Sequence, residues 1–184
     1  MTETTTTAPA LPLAPGRWTL DPLHSSVTFA IRHIGISKVR GRFNAFDAHL
    51  DVGASAAESV VEAVIDMGSI DTGNADRDGH VLSPEILDVA QRPELRFRST
   101  SIIGEGEAWT MEGEATLGGV TQPFAFDIEF GGLSELMGTP HAGFSTSGQL
   151  RRKDFGVTLD GPLDLGLGAI VSFDLELQFL PPAD

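Results

Sequence analysis

Apolar and polar side chains alternate with a period of two along most of this chain, and that alternation constrains the fold more than any other feature. In residues 122–130, three phenylalanines and an isoleucine share one face, opposite Asp127 and Glu129. Residues 169–179 repeat the pattern, with five apolar side chains opposite four polar ones. Because successive side chains of a β-strand point to opposite faces, both segments are predicted to be strands with one buried face.

Eight segments of the chain follow this pattern, and several are 9–11 residues long: 25–33, 42–52, 60–67, 94–103, 108–117, 122–130, 142–152 and 169–179. Glycine-rich turns separate most of them, and Gly118-Gly119 is a tight-turn signal. A sheet with one apolar face must pack on a second sheet or close on itself, and closure removes the unpaired edges. We therefore predict an all-β fold, an antiparallel barrel of about eight strands. A filled β-sandwich is the alternative that the pattern leaves open.

The remaining segments define the domain organisation. Residues 68–93 are the one long irregular stretch and predict a short helical insertion after the third strand. Ser83-Pro84-Glu85 indicates an N-cap with proline at the first helical position, and so a helix over about 84–90. Residues 75–82 are a second candidate helix. Residues 1–16 are rich in Thr, Ala and Pro and are predicted to be a disordered tail, which leaves 17–180 as one barrel domain.

Composition excludes several classes of function. Twelve basic and 26 acidic residues give a net charge of −14, which repels phosphate backbones and argues against nucleic-acid partners and polybasic membrane docking. The absence of cysteine excludes disulfides, thiolate metal sites and cysteine nucleophiles. No run approaches the roughly 20 apolar residues of a transmembrane segment. The amino-terminal region lacks a basic, apolar signal, so we expect a cytoplasmic protein, with loss of a leader as the alternative.

A set of short motifs runs through the chain in a fixed order. They are Asp21-Pro-Leu-His24-Ser-Ser-Val-Thr-Phe29, Arg32-His33-Ile-Gly35-Ile-Ser37-Lys-Val-Arg40-Gly41-Arg-Phe43, Ser69-Ile-Asp71-Thr72-Gly73-Asn74, Arg77-Asp78-Gly-His80-Val-Leu-Ser83, Pro93-Glu-Leu-Arg-Phe97-Arg-Ser99-Thr100, Gly113-Glu-Ala-Thr-Leu-Gly-Gly119-Val120-Thr121 and Arg152-Lys153-Asp154-Phe155-Gly156-Val157. In these motifs and their order, between Trp18 and Phe179, the chain resembles the YceI-like family.

The resemblance implies an extended, lipocalin-like, eight-stranded antiparallel barrel that is often dimeric. It also implies a long internal tunnel that holds polyisoprenoids, isoprenoid quinones or similar amphiphiles. Many relatives are periplasmic, and this sequence departs from them because it shows no leader. It also carries Ile86-Leu87 where relatives often carry aromatic residues.

Twelve side chains share the inward parity of their strands and, given the tunnel that the resemblance implies, are the predicted ligand contacts. They are Phe29, Ile31, His33, Phe46, Leu50, Ile65, Phe97, Met111, Phe124, Phe126, Phe144 and Phe173. Of these, His33 lies near a predicted barrel end. Its imidazole is expected to bond either a ligand head group or a loop carbonyl.

Ionisable side chains elsewhere have a structural and a chemical interpretation. Arg77, Asp78 and His80 are read as a network that holds the long loop, with a general acid/base set as the alternative. Arg152 and Asp154 are likewise read as an ion pair rather than a catalytic dyad. The five histidines show no metal-ligand spacing. No catalytic residue, metal or cofactor is therefore predicted.

The function expected from these observations is to bind and carry, or sequester, a polyprenyl lipid or isoprenoid quinone, as a homodimer without enzymatic activity. Two alternatives remain. One is a cyclase or isomerase that acts on such a lipid through His33 or His80. The other is a stress-linked interaction protein with a filled core.

Overall fold

The structure is a computed structural model that describes residues 10–183. Eleven strands account for most of these residues: β1 (Gly16–Leu20), β2 (Ser26–His33), β3 (Ser37–Phe43), β4 (Phe46–Val52), β5 (Val60–Asp66), β6 (Ile70–Asp71), β7 (Glu94–Glu105), β8 (Ala108–Leu117), β9 (Val120–Leu136), β10 (Thr139–Arg151) and β11 (Leu167–Leu180). Two short helices are α1 (Ala75–Leu82) and α2 (Pro162–Gly166). Single 3-10 turns lie at Ala56–Glu58, Met67–Ser69 and Arg152–Phe155.

The strands close into an antiparallel barrel. The ring runs β1–β4–β5–β7–β8–β9–β10–β11 and returns to β1, which makes eight strands. β11 pairs with both β1 and β2, so these two form one long strand interrupted at residues 21–25. β3 pairs with β2, and β6 with β3, which extends the wall beyond β1 and β4. The prediction of an eight-stranded, lipocalin-like barrel is confirmed, and the sandwich alternative is excluded.

Two separate hydrophobic clusters pack the interior, one toward each end of the barrel. The first contains Trp18, Leu50, Trp109 and Phe179, with Phe46, Met111 and Phe144 packed against it. The second contains Met67, Leu87, Leu117, Phe155 and Val157, with Ile65, Phe97 and Phe124 packed against it. Neighbouring strands are antiparallel. Each cluster therefore takes its residues from the beginning of one strand and from the end of the next strand around the ring.

The helical insertion differs from its predicted position. Residues 75–82 form the helix α1, whose amino terminus is capped by Asn74 accepting a hydrogen bond from the Arg77 amide at 2.9 Å. Residues 84–90 form turns instead of the predicted helix. The Asp88 amide donates to the Ser83 carbonyl, and Asp88 itself has φ of 50°. That left-handed residue ends the turn before a helix can propagate.

Part of the predicted tail packs against the barrel. Residues 1–9 lie outside the described part of the chain, whereas Leu11 and Leu13 are each 8% exposed and belong to the first cluster. The indole of Trp18 donates to the Ala14 carbonyl at 2.9 Å. Residues 11–14 therefore belong to the domain, and the domain begins before residue 17.

We expect Leu13→Ala to lower the free energy of unfolding by about 2 kcal/mol, because it removes buried apolar atoms and leaves a gap in the first cluster. Urea unfolding followed by tryptophan fluorescence measures the change. Leu23→Ala is the matched control, since Leu23 is 87% exposed and its truncation should leave stability within about 0.5 kcal/mol of wild type. Equal effects of the two substitutions on stability would show that residues 11–14 do not belong to the folded domain.

Candidate functional site in the barrel interior

The middle of the barrel is less well packed than its ends. Phe29, Phe126 and Phe173 face inward at this level, yet each is only half-buried and none belongs to either cluster. In a filled barrel the central side chains would be the best buried. The reverse gradient shows that these inward-facing rings are incompletely packed by the rest of the chain.

Four aromatic rings line this middle section as one contiguous group. Phe126 lies 5.0 Å from Phe97 in an edge-to-face arrangement and 5.8 Å from Phe173, between ring centroids. Phe124 lies 4.9 Å from Phe126 and 5.8 Å from Phe173. Because β7 and β11 are four positions apart in the ring of eight strands, Phe97 and Phe173 come from opposite walls. We call these four residues the aromatic belt.

Glycines on neighbouring strands determine how the rings lie. Gly148 pairs directly with Phe173, and a Cβ atom at Gly148 would lie 2.5 Å from its ring. A Cβ atom at Gly113 would lie equally close to the ring of Phe97. Gly41 has the same relation to Phe29, its direct partner on β2. The rings therefore lean sideways over glycine backbone on the wall, and side chains at these three positions would push them inward.

The twelve predicted contacts all lie on inward-facing positions of their strands, but they divide into groups. Phe29, Phe126 and Phe173 belong to neither cluster, and the same is true of Ile31, which pairs with Val171 toward the end of β2. Phe46, Met111 and Phe144 border the first cluster, and Ile65, Phe97 and Phe124 border the second. Leu50 is a member of the first cluster and is 4% exposed, so the structure places it in closed core and not on an open wall.

His33 lies at the very end of β2, paired with Ser37 and Leu167, and its side chain is exposed. Its imidazole has no hydrogen-bond partner within residues 10–183, so the predicted bond to a loop carbonyl is absent there. The remaining interpretation, contact with a ligand head group, stays a prediction.

Two of the three residues predicted to hold the long loop share one hydrogen-bonded network. Arg77 donates to Thr72 Oγ1 at 2.7 Å and to the Thr72 carbonyl at 2.8 Å. Asp78 accepts from the Thr72 amide at 3.0 Å and from its hydroxyl. His80 instead contacts Glu85, with 2.8 Å between Nε2 and Oε2. These bonds join α1 to the chain on either side of it and leave no convergent acid/base set.

Arg152 is the one deeply buried cation of the described chain, at 4% exposure, and its partner differs from the predicted one. Its guanidinium donates to the carbonyls of Val157, Leu167 and Gly168 at 2.9–3.0 Å. Its ion-pair partner is Asp164, at 2.7 Å, and not Asp154.

Asp154 instead lies 4.0 Å from Arg151. Hydrogen bonds from Lys153 and then Arg152 hold the pKa of Asp164 below its ordinary value. Because Asp164 is on α2, far along the chain from Arg152, no local spacing signalled this pair.

A second polar cluster was not predicted as a unit. Asp21 is buried, accepts from the Leu23 amide, and lies 2.7 Å from Nδ1 of His24. That hydrogen bond is the main cause that holds the pKa of Asp21 below its ordinary value. Nδ1 of His141 lies 3.9 Å from the same carboxylate. The three-residue spacing of Asp21 and His24 could have indicated their contact, whereas His141 comes from a distant strand.

Within residues 10–183, no three His, Cys, Asp or Glu side chains are arranged to hold a metal ion. No helix in that range is long and apolar enough to cross a membrane. The candidate site is therefore the interior wall between the two clusters, with the aromatic belt at its centre.

Comparison with known proteins identifies the family of this chain. Residues 18–179 match the YceI-like domain family. A UPF0312 protein of Enterobacter sp. (strain 638) is 36% identical over 154 residues, which cover 82% of this chain and 80% of that protein. Protein YceI of Salmonella arizonae is 35% identical over the same length, covering 82% and 81%.

Solved structures share the fold. The YceI protein of Campylobacter jejuni is 26% identical, with a TM-score of 0.70, covering 83% of this chain and 90% of that one. BcnA of Burkholderia cenocepacia superposes with a TM-score of 0.74 at 20% identity, covering 86% and 98%. A polyisoprenoid binding domain from Saccharophagus degradans, implicated in plant cell wall breakdown, has a TM-score of 0.66 at 17% identity, covering 90% and 98%.

We expect Arg152→Met to destabilise the fold by about 3 kcal/mol, because it leaves three backbone carbonyls without their donor and Asp164 with Lys153 alone. Urea unfolding measures the loss. Arg151→Met is the control on the preceding residue, which is exposed and should change stability by less than about 0.5 kcal/mol. A neutral result for Arg152→Met would show that the guanidinium does not hold α2 to the barrel.

Proposed function

We propose, from the premise that this chain belongs to the YceI-like domain family, that it binds one long isoprenoid-type lipid in the barrel interior and carries or sequesters it without chemical change. The observation that carries the proposal is the inverted burial gradient, in which inward-facing aromatic rings at mid-barrel are less buried than the side chains at both ends. The polyisoprenoid binding domain from Saccharophagus degradans, which has the same fold, supports this class of ligand.

The lining explains why an isoprenoid suits the site. Aromatic and aliphatic side chains supply dispersion contacts to methyl-branched hydrocarbon. The hydroxyls of Ser99 and Thr146, which share the inward face, bond to backbone groups of the wall. Each buried methylene contributes about 0.8 kcal/mol, so about ten contribute about 8 kcal/mol before ordering costs. Affinity should then depend more on chain length than on the head group, and a polyprenyl lipid and an isoprenoid quinone are both suitable ligands.

The geometry gives no support to chemical conversion of the lipid. His80 lies on α1, a helix with no buried residue, and contacts Glu85. The imidazole of His80 therefore does not line the interior. His33 is inward in parity but exposed at the end of its strand. A homodimer and a cytoplasmic location stay predictions, and the proposed function requires neither, because one chain closes its own barrel.

Native mass spectrometry of protein purified without detergent tests the proposal. We expect the wild-type chain to carry one lipid, or to take up one molecule of an added long-chain polyprenol or isoprenoid quinone. Gly148→Ala should reduce this occupancy, because the new methyl group displaces the Phe173 ring into the lumen. Gly143→Ala is the matched control on the same strand, since its Cβ meets nothing within 4 Å.

The outcomes separate a carrier from a filled core. If the core is filled, wild-type protein shows no added mass, whichever expression host or added lipid is used. Neither glycine variant then differs from wild type in lipid occupancy. That result would overturn the proposed function. If both variants keep full occupancy, the aromatic belt does not line the ligand path.

We expect His33→Gln and His80→Gln to leave the bound lipid chemically unchanged, because amides keep hydrogen-bonding capacity but lose imidazole acid/base chemistry. Organic extraction and mass analysis of the lipid from each variant and from wild type provide the measurement. Weaker retention in His33→Gln alone would fit head-group contact. Accumulation in either variant of a lipid that wild type converts would establish an enzyme.

A further inference from the structure

The hairpin formed by β2 and β3 is basic, whereas the chain as a whole is acidic. Between Asp21 and Asp47 there are four basic residues and no acidic one, although the whole chain has 26 acidic and 12 basic residues. The four cations are on the outer face of the hairpin: Arg32, Lys38, Arg40 and Arg42. Only Arg42 has a carboxylate partner in the described chain, Asp71 at 3.0 Å.

The other three cations lack a counter-charge. Arg32 and Lys38 are directly opposite one another across the two strands, and Arg40 is two residues further along β3. No carboxylate of residues 10–183 lies within 4 Å of any of them. Like charges directly opposite on one face of a sheet repel. An anionic surface outside the chain would relieve this repulsion.

The turn that joins the two strands is apolar and strained. Its residues are Ile34, Gly35 and Ile36, and the two isoleucines are 55% and 80% exposed. Ile34 has φ of 43°, a left-handed conformation that a β-branched side chain strongly disfavours and in which asparagine or glycine is usual. A strained backbone that holds an exposed isoleucine at a loop tip indicates a functional contact.

A second apolar loop lies beside this turn. The Ile34 amide donates to the Gly166 carbonyl at 2.6 Å, which joins the turn to the end of α2. Leu163 and Leu165 of α2 are also exposed, Leu165 to 87%. We define the docking surface as the apolar tips Ile34, Ile36, Leu163 and Leu165 together with the cations Arg32, Lys38 and Arg40.

The docking surface is continuous with the interior wall. Ile31 and Val39 pair across the same hairpin on its inward face, and Phe29 follows one step deeper. All three are incompletely buried and belong to neither cluster. The inner face of the hairpin therefore leads from the docking surface toward the aromatic belt.

We propose that the docking surface inserts its apolar tips into the interface of an anionic phospholipid bilayer, so that the barrel exchanges its ligand directly with the membrane. This inference rests on the proposed function for the exchange step. A bilayer interface supplies acyl chains for the four apolar tips and anionic headgroups for the three cations. A second copy of the chain in a two-fold contact would set basic hairpin against basic hairpin. The acidic remainder of the chain would be repelled from the membrane, which fixes the orientation of the bound protein.

Co-sedimentation with extruded vesicles, in the absence of any isoprenoid, tests docking alone. We expect wild type to bind phosphatidylcholine vesicles that contain phosphatidylglycerol, to bind pure phosphatidylcholine vesicles weakly, and to dissociate with added salt. Each cation near an anionic surface contributes about fivefold, so the double variant Arg32→Gln plus Lys38→Gln should lose about 25-fold. Arg17→Gln plus Arg98→Gln changes the net charge equally at exposed positions toward the other end of the barrel and should lose little.

The strained turn gives a second test in which folding cannot account for the result. Ile34→Asn places a residue suited to φ of 43°, so its urea midpoint should equal or exceed that of wild type while vesicle binding falls several-fold. Ile103→Asn is the control, because Ile103 is 65% exposed near the turn between β7 and β8, beside the first cluster. It should leave vesicle binding intact.

The outcomes for docking and for the proposed function are distinguishable. If anionic vesicles bind wild type no better than neutral ones, or bind it and the hairpin variants equally, docking is overturned, and lipid retained in mass spectrometry leaves the carrier function standing. If the hairpin variants bind vesicles less but wild type never holds a lipid, docking stands and the carrier function fails. A dimer that Ile34→Asn converts to a monomer would make this surface a self-interface and overturn the proposal.

Discussion

Closure of the sheet between β1 and β11 is the interaction on which the rest of the structure depends. Only two residue pairs make the junction, Thr19 with Leu180 and Leu20 with Phe179. β2 then continues along β11 for most of its length and doubles the seam. Behind the junction, Trp18 and Phe179 share the first cluster with Leu11 and Leu13. Within the closed ring each strand has a partner on both sides, and the inner face becomes a compartment whose width is set by strand number.

Within that compartment, alternating side chains alone would fill the space, and the glycines change the outcome. Gly41, Gly113 and Gly148 remove side chains from the inner wall at the level of the phenylalanines, and the rings lean over them. The large aromatic surface thus lies along the wall instead of pointing at the axis. Larger residues at these glycine positions would force the rings together at the centre and give the close-packed middle of an ordinary small barrel.

The sequence predicts what is local and periodic, and it misses what depends on distant partners. Strand alternation identified the wall and its inward face, and Gly118-Gly119 identified a turn whose two residues both have positive φ. The approach of His141 to Asp21 arises from strands that meet only after closure, and the pair of Arg152 with Asp164 joins a 3-10 turn to α2 across twelve residues. Residues 84–90 were predicted as a helix because Ser83 and Pro84 suit its start, but tertiary contacts there hold a series of turns. β3 shows no alternating apolar face strong enough to stand out, since its outer positions are cations and its inner ones include Gly41.

A barrel that binds a long hydrocarbon tightly also exchanges it slowly through water. If about ten methylenes contribute about 8 kcal/mol to burial, the same free energy opposes passage of the free chain through water. At about 1.4 kcal/mol per factor of ten, transfer through solution between membrane and barrel is slowed by about a millionfold.

Direct contact between the docking surface and the acyl region would remove most of that barrier, because the hydrocarbon would move from one apolar phase into another. A net charge of −14 would by itself oppose such contact with an anionic membrane. Three cations without a carboxylate partner among the described residues and two exposed isoleucines lie together on one hairpin, and this grouping resolves the conflict. The charge that keeps the body of the protein away from the membrane then also turns the hairpin toward it.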